Sequence, residues 1–170
     1  MDPRSEEFAH FVDLRQRALQ RTAWLLTGDW ALAEDLVQTS LAKTWPRWEG
    51  IKRRDDPEIY VRRVMMNTWA SWSRRRWRGE RPAAELPDST APGDVAGEVA
   101  VRLAVRRALG SLSDRQRAVF VLRVFDDLSE AQVAHVLECA VGTVKSTMSQ
   151  AVSKLRTDTD LAELLERKPR

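Results

Sequence analysis

Four polar side chains define the chemistry open to this chain. Arg63, Asn67, Ser71 and Arg74 follow one another at spacings of four, four and three residues, which places them on one face of a helix. They lie within Tyr60 to Arg78, a stretch with six arginines, four aromatic residues and no acid. Arginine holds phosphate, and an aromatic ring stacks on an exposed base for roughly 1–3 kcal/mol. An amide such as Asn67 reads the edge of a base that has left its stack. That is the chemistry of binding single-stranded nucleic acid, with no bond made or broken. A second acid-free stretch, Cys139 to Thr157, carries three basic residues. Alone, it reads as a solvated helix face.

Other chemistries find little support in the composition. A single cysteine, Cys139, excludes an internal disulfide and any multi-cysteine zinc site. His10 and His135 lie far apart and have no metal-ligand spacing. No catalytic constellation, metal site or cofactor site is expected. The longest apolar runs span only four or five residues, too few for a membrane-spanning helix. The start, Met1-Asp2-Pro3-Arg4-Ser5-Glu6-Glu7, is too polar and acidic for a secretory signal. A cytoplasmic protein is the expectation.

The elements that position these residues fall into two groups. The chain has 170 residues, 43% of them apolar, enough for one domain or two small ones. Its formal charge of +3 is unevenly spread: net +4 over residues 1–78, −3 over 79–97 and +2 over 98–170. The middle segment holds three of the seven prolines and three of the seven glycines. It reads as a flexible tether, because prolines at that density stop helix propagation. All seven tryptophans precede it, which predicts separate cores on the two sides. Hydrophobics at three- and four-residue spacing, without strand alternation, predict an all-α fold of two small helical domains.

In residues 1–78, Phe8, Phe11, Val12, Leu14, Leu19, Ala23 and Leu26 mark a first helix, which Gly28 ends. Asp29 caps a second helix from about Trp30 to Trp45, which Pro46 stops. Leu32, Leu36, Leu41, Thr44, Trp45 and Trp48 form its buried stripe; Glu34, Asp35, Gln38, Thr39 and Ala42 lie opposite. Asp56 followed by Pro57 starts a further helix. Val61, Val64, Met65, Thr68 and Trp72 make its apolar back, and the Arg63–Asn67–Ser71–Arg74 line makes its front. Trp72 belongs to the core on this pattern, whereas for Trp69 and Trp77 packing and base stacking stand even.

In residues 98–170, Val99 to Leu109 reads as a helix closed by Gly110. Ser113 with Gln116 and Ser129 with Gln132 are capping boxes opening two more helices. After a turn at Glu138-Cys139-Ala140, Val141, Val144, Met148, Val152 and Leu155 form the seam of a last helix. Thr143, Lys145, Ser146, Thr147, Ser149 and Gln150 are its candidate duplex-reading residues. Two helices, a tight turn and a polar outer face make a helix-turn-helix suited to the major groove.

Three motifs in this order resemble one family. Ala33-Glu34-Asp35-Leu36-Val37-Gln38 is similar to the polymerase-binding motif of bacterial sigma factors. Tyr60-Val61-Arg62-Arg63-Val64 through Asn67 resembles their melting and minus-ten region. Val141-Gly142-Thr143-Val144-Lys145-Ser146 is similar to the recognition helix of their minus-thirty-five domain. Two domains and an acidic tether resemble the extracytoplasmic-function group of the sigma-70 family. The resemblance implies that Glu34, Asp35, Leu36, Gln38 and Leu41 dock on core RNA polymerase. It implies that Arg62, Arg63, Asn67, Trp69, Ser71, Arg74 and Arg75 capture the melted minus-ten strand, and that the last helix reads promoter duplex upstream. Relatives are often held inactive by an anti-sigma factor, although no residue here by itself marks one.

This chain departs from the family pattern in its last helices. Glu138 stands where glycine is usual, and a left-handed backbone there costs about 1–2 kcal/mol. Ala140 replaces the usual serine cap, a loss of about 1 kcal/mol. Thr147 and Gln150 stand where relatives commonly carry arginine. A weak upstream reader, dependent on the polymerase and the first domain, is the expectation. The competing functions are a stand-alone helix-turn-helix regulator, an adaptor and an enzyme. The first has no use for the arginine–tryptophan helix, and the second leaves the basic clusters unexplained.

Overall fold

The computed structural model describes residues 2–77 and 96–158. Most of the 79–97 tether, and the end of the 98–170 domain, lie outside the described residues. The order is α1 (Pro3–Thr27), α2 (Trp30–Thr44), a 3-10 turn (Trp45–Arg47), α3 (Trp48–Arg54) and α4 (Pro57–Trp77), then α5 (Ala96–Gly110), α6 (Asp114–Phe120), a π turn (Val121–Phe125), α7 (Glu130–Leu137) and α8 (Val141–Arg156). Among the described residues every element is helical. Ala96 and Gly97, expected in the tether, begin α5 instead.

Local chemistry sets the boundaries. Gly28 ends α1 in the left-handed region (φ 70°), its N–H donating to Trp24 O at 2.7 Å. Asp29 then opens α2 by accepting from the Leu32 N–H at 2.8 Å. Pro46 falls inside the 3-10 turn that separates α2 from α3. Asp56 Oδ1 accepts from the Glu58 N–H at 2.9 Å at the start of α4. Both capping boxes are formed, Ser113 with Gln116 and Ser129 with Gln132. Each pairs two N–H groups that a helix start otherwise leaves unmet.

In the first unit α1 packs on α2, and α4 packs on both. Phe8, Phe11, Trp45 and Trp48 form an aromatic cluster at one end, with ring centroids 5.0–5.1 Å apart for Phe8–Trp45, Phe8–Trp48 and Phe11–Trp48. In the second unit α6 and α7 pack on α8. Leu14, one of the apolar residues that mark α1 in the sequence, is 64% exposed. Its place in the helical period lies outside the stripe set by Leu19, Ala23 and Leu26.

The expectation of separate cores is overturned. One apolar cluster runs from Leu19, Leu26, Met65, Met66 and Trp69 into Leu122, Val133 and Val136. Helix α4 packs on α7 and α6, and α1 packs on the π turn and α5. The two units therefore share a buried face. Tryptophan content does not reveal it, because the second unit contributes aliphatic side chains to that face.

Candidate nucleic-acid and polymerase interfaces

Helix α4 carries three different faces. Val61, Met65 and Thr68 turn toward α2, where the Lys43 ammonium donates to Thr68 Oγ1 at 3.1 Å. Arg62, Met66 and Trp69 are buried on the side of the second unit, with Ser73 and Arg76 following along the same stripe. The third face is open: Asn67, Arg74 and Arg75 are exposed, and Arg63 and Ser71 are half-buried. The Arg63 guanidinium sits 5.0 Å over the ring of half-buried Tyr60. Tyr60, Arg63, Asn67, Ser71 and Arg74 thus form one line of ring, cations and amide.

Beside Tyr60 is a hollow of about 370 Å³, bordered by the basic run Lys52-Arg53-Arg54, by Asp55 and Asp56, by Ile59 and by His135 of the second unit. Lys52 pairs with Glu7 from α1 and, at 3.6 Å, with Glu49. Its hydrogen bond to Glu7 raises the Lys52 pKa above the usual lysine range, partly offset by desolvation. Tyr60 is one of the four aromatics of its stretch and opens a motif, but the sequence alone did not assign it to the reading face. Its spacing of three from Arg63 is the feature that would have joined it to the reading face.

Two residues expected on that face are placed elsewhere. Arg62 is 2% exposed; its Nε lies 3.1 Å from Asp126 Oδ2 and its Nη1 lies 2.8 Å from Glu58 Oε1. Trp69 is 6% exposed within the shared core, with the Arg117 guanidinium 6.0 Å from its ring. In this arrangement neither side chain is open to a nucleotide. The side chain of Trp77 lies outside the described residues.

Helix α2 presents Glu34, Asp35 and Gln38 to solvent. Gln38 Nε2 donates to Glu34 Oε1 at 3.3 Å, one turn away. Leu41 is half-buried against the core, whereas Leu36 is fully buried and lies beneath the surface rather than on it. The usable patch is an acidic and amide face with an apolar edge.

Helix α8 presents Lys145, Ser146, Ser149 and Gln150 to solvent, with Thr143 half-buried at its first turn. Lys145 Nζ lies 3.7 Å from Glu130 of α7. Ser146 Oγ donates back to Thr143 O at 3.2 Å. Thr147, expected on the outer face, is 7% exposed and joins Val144, Ala151 and Leu155 on the buried side. It stands three residues after Val144 and four before Ala151, which is the spacing of a packed stripe. Both departures before this helix appear in the backbone. Glu138 is left-handed (φ 53°, ψ 47°), and Ala140 provides no side-chain cap.

Arg117, which the sequence reading did not single out, bridges the units. Its Nε donates to Leu109 O at 2.9 Å and its Nη1 to Leu26 O at 2.8 Å, close to the C-termini of α5 and α1. Burial lowers its pKa below the usual arginine value, against Asp114 and with Arg76. A cleft of about 770 Å³ opens there between Trp69, Ser73, Arg74, Arg76 and Arg117. Among the described residues no cluster of three or more metal-ligating side chains is found. No helix of the described residues is long and apolar enough to cross a membrane.

Comparison with known proteins matches both units. The family described as Sigma-70 region 2 matches residues 11–79, and the family described as Sigma-70, region 4 matches residues 102–155. An RNA polymerase sigma-E factor of Streptomyces antibioticus is 40% identical over 96% of this chain and 93% of that protein. A sigma-E factor of Streptomyces coelicolor is 42% identical over 96% and 94%. The ECF RNA polymerase sigma factor SigG of Mycobacterium tuberculosis is 31% identical over 92% of this chain and 50% of that protein. Among solved structures, the sigma factor RpoE of Bartonella quintana, in complex with the anti-sigma factor NepR, superposes with a TM-score of 0.71. It is 26% identical over 96% of this chain and 99% of that one. The chain belongs to the sigma-70 family, in its extracytoplasmic-function group, and directs promoter-specific transcription initiation with core RNA polymerase.

Proposed function

We propose that this sigma-70 family member divides promoter recognition between the open face of α4 and the outer face of α8, and docks through α2. The observation that carries the proposal is the line of exposed Asn67 and Arg74 with half-buried Arg63 and Ser71 beside Tyr60, on a stretch without acids. In this reading the minus-ten strand is held by Arg63, Arg74 and Arg75 along its phosphates. Tyr60 offers a stacking face, and Asn67 takes a flipped base edge. Catching bases as they unstack offsets a cost of a few kcal/mol for each.

Thr143, Lys145, Ser146, Ser149 and Gln150 then meet the minus-thirty-five duplex. One lysine among hydroxyls and an amide makes this a positioning contact with few base edges read. Glu34, Asp35, Gln38 and Leu41 form the polymerase patch, with Leu36 supporting them from the core. Residues 1–78 act as the docking and melting domain, 79–97 as the tether and 98–170 as the upstream reader. The chain works in the cytoplasm by binding alone, without catalysing a reaction. An anti-sigma factor is a further proposed partner, supported by the likeness to RpoE bound to NepR.

Run-off transcription with sigma-free polymerase on promoters from the same genome tests the proposal. Initiation is expected with the wild-type chain and is expected to fail with Asp35→Arg, which should no longer co-purify with core enzyme. Co-purification of a folded Asp35→Arg variant would move the docking surface elsewhere.

A further inference from the structure

The cleft of about 770 Å³ beside Arg117 shares only Arg74 with the interfaces described above. Its size falls within the roughly 300–1,000 Å³ usual for small-molecule sites. Arg74 and Arg76 reach it from the end of α4, and Arg117 reaches it from α6. Among the described residues Asp114 is the one acidic side chain that lines it, which leaves two positive charges uncompensated. Among the described residues, too, none of the three arginines has a carboxylate within ion-pair distance.

Arg117 is a fixed cation in this cleft. Its Nε and Nη1 donate to Leu109 O and Leu26 O, at 2.9 and 2.8 Å. A guanidinium has five N–H donors, so these two bonds hold the group in place and leave the others for a ligand. Trp69 stands behind it, with the ring centre 6.0 Å from the guanidinium carbon. Burial first, and then the charge of Arg76, pushes the Arg117 pKa down, against the pull of Asp114. Its surroundings therefore disfavour its charge. Arginine keeps its proton in proteins, so the cost is relieved by a counter-anion rather than by loss of the proton.

The chemistry of the walls selects the anion. Every cation that lines the cleft is an arginine, whose planar fork matches phosphate oxygens two at a time. The uncompensated charge and the volume suit a ligand with several negative charges. Trp69 is 6% exposed and sits in the shared core, so it offers no open ring face to a base. Ser73 adds a hydroxyl donor. Ser73 and Arg76 stand on the stripe of α4 that turns toward the second unit, away from the line through Asn67. The cleft is thus a separate place from the face assigned to the melted strand.

We propose that the cleft between the end of α4 and α6 is a binding site for a short oligophosphate, gripped by Arg76 and Arg117 from the two units with Ser73 and Arg74 beside them. Inorganic oligophosphate and the phosphate chain of a nucleotide carry the same chemistry. Asp114 opposes the ligand's charge and limits how tightly it is held. A ligand that binds only the folded chain also raises its melting temperature by mass action.

Isothermal titration calorimetry of the full-length chain with sodium tripolyphosphate, at fixed ionic strength, tests the site. Saturable binding is expected. Arg76→Gln is expected to weaken it about tenfold, the loss of one charged contact, and Asp114→Asn is expected to tighten it. Arg53→Gln, which removes the same charge from the hollow beside Tyr60, is expected to leave it unchanged. No saturable heat, or equal weakening by Arg76→Gln and Arg53→Gln, overturns the site. Asp114→Asn moves the affinity upward, which damage to the fold would not do, and an unchanged or weaker affinity there also counts against the site. ATP in place of tripolyphosphate separates the two sources. Equal affinity assigns recognition to the phosphate chain alone, and tighter binding of ATP makes a nucleoside polyphosphate the ligand. Binding of ATP without any binding of tripolyphosphate overturns recognition through phosphate. The titration involves neither polymerase nor promoter, so its failure leaves the promoter reading standing, and failed initiation by the wild type would leave the titration untouched.

Discussion

Helices α4 and α8 both present polar faces for nucleic acid, and they are built on opposite terms. The open face of α4 sits in an acid-free run of arginines with an aromatic ring at its start, and its other two faces are buried. The outer face of α8 has one lysine near its start, already close to Glu130, followed by hydroxyls and an amide. It enters through an uncapped alanine and a left-handed glutamate. The difference follows from the substrate each is proposed to meet. A melted strand has to be won from its partner strand, which takes charge and stacking. A duplex is already in shape, and a few contacts suffice to position it.

The largest expected effect separates packing from reading within α4. Trp69→Ala is expected to destabilise the fold by about 3–5 kcal/mol, as for other buried aromatics cut to alanine, visible in urea unfolding. A variant of full stability that loses only strand binding would return Trp69 to the reading face. Next in size, Asn67→Ala is expected to weaken melted-strand capture by about 1–3 kcal/mol, the value of a good base-edge contact, in titrations of holoenzyme with minus-ten oligonucleotide. The double variant Arg63→Ala/Arg74→Ala is expected to flatten the logarithmic salt slope for single strand by about 1.4, at roughly 0.7 per phosphate contact. An unchanged slope would remove these arginines from the phosphate track. The smallest effects lie before α8. Glu138→Gly is expected to stabilise the chain by about 1 kcal/mol by relieving a left-handed backbone, and Ala140→Ser by about 1 kcal/mol by capping α8. Thermal unfolding checks both, and a loss of stability in either would contradict the strain and capping assigned there.

Much of the fold was legible because helix boundaries are local. Asp29, Asp56 with Pro57, and the Ser113 and Ser129 boxes each act within four residues, and the structure holds them as the sequence suggested. The open line of α4 was legible for the same reason, since its spacing alone places it on one side. What remained hidden lies in contacts between residues far apart in the chain. Arg62 and Asp126 are 64 positions apart, and Thr22 and Asp126 are 104. No periodicity in either segment announces such a pairing. A two-faced reading of α4 left Arg62 and Trp69 to the nucleic-acid side, because a third, buried face is supplied only by the other unit. Thr147 misled in a different way: its hydroxyl suggested the outer face, while its spacing from Val144 and Ala151 suited the core.

Permanganate footprinting of holoenzyme on its own promoter compares the two helices in one experiment. Asn67→Ala is expected to leave the polymerase bound but the minus-ten thymines unreactive, whereas Gln150→Ala is expected to lower occupancy and leave every bound promoter melted. Normal melting by Asn67→Ala would contradict the assignment of strand capture to α4.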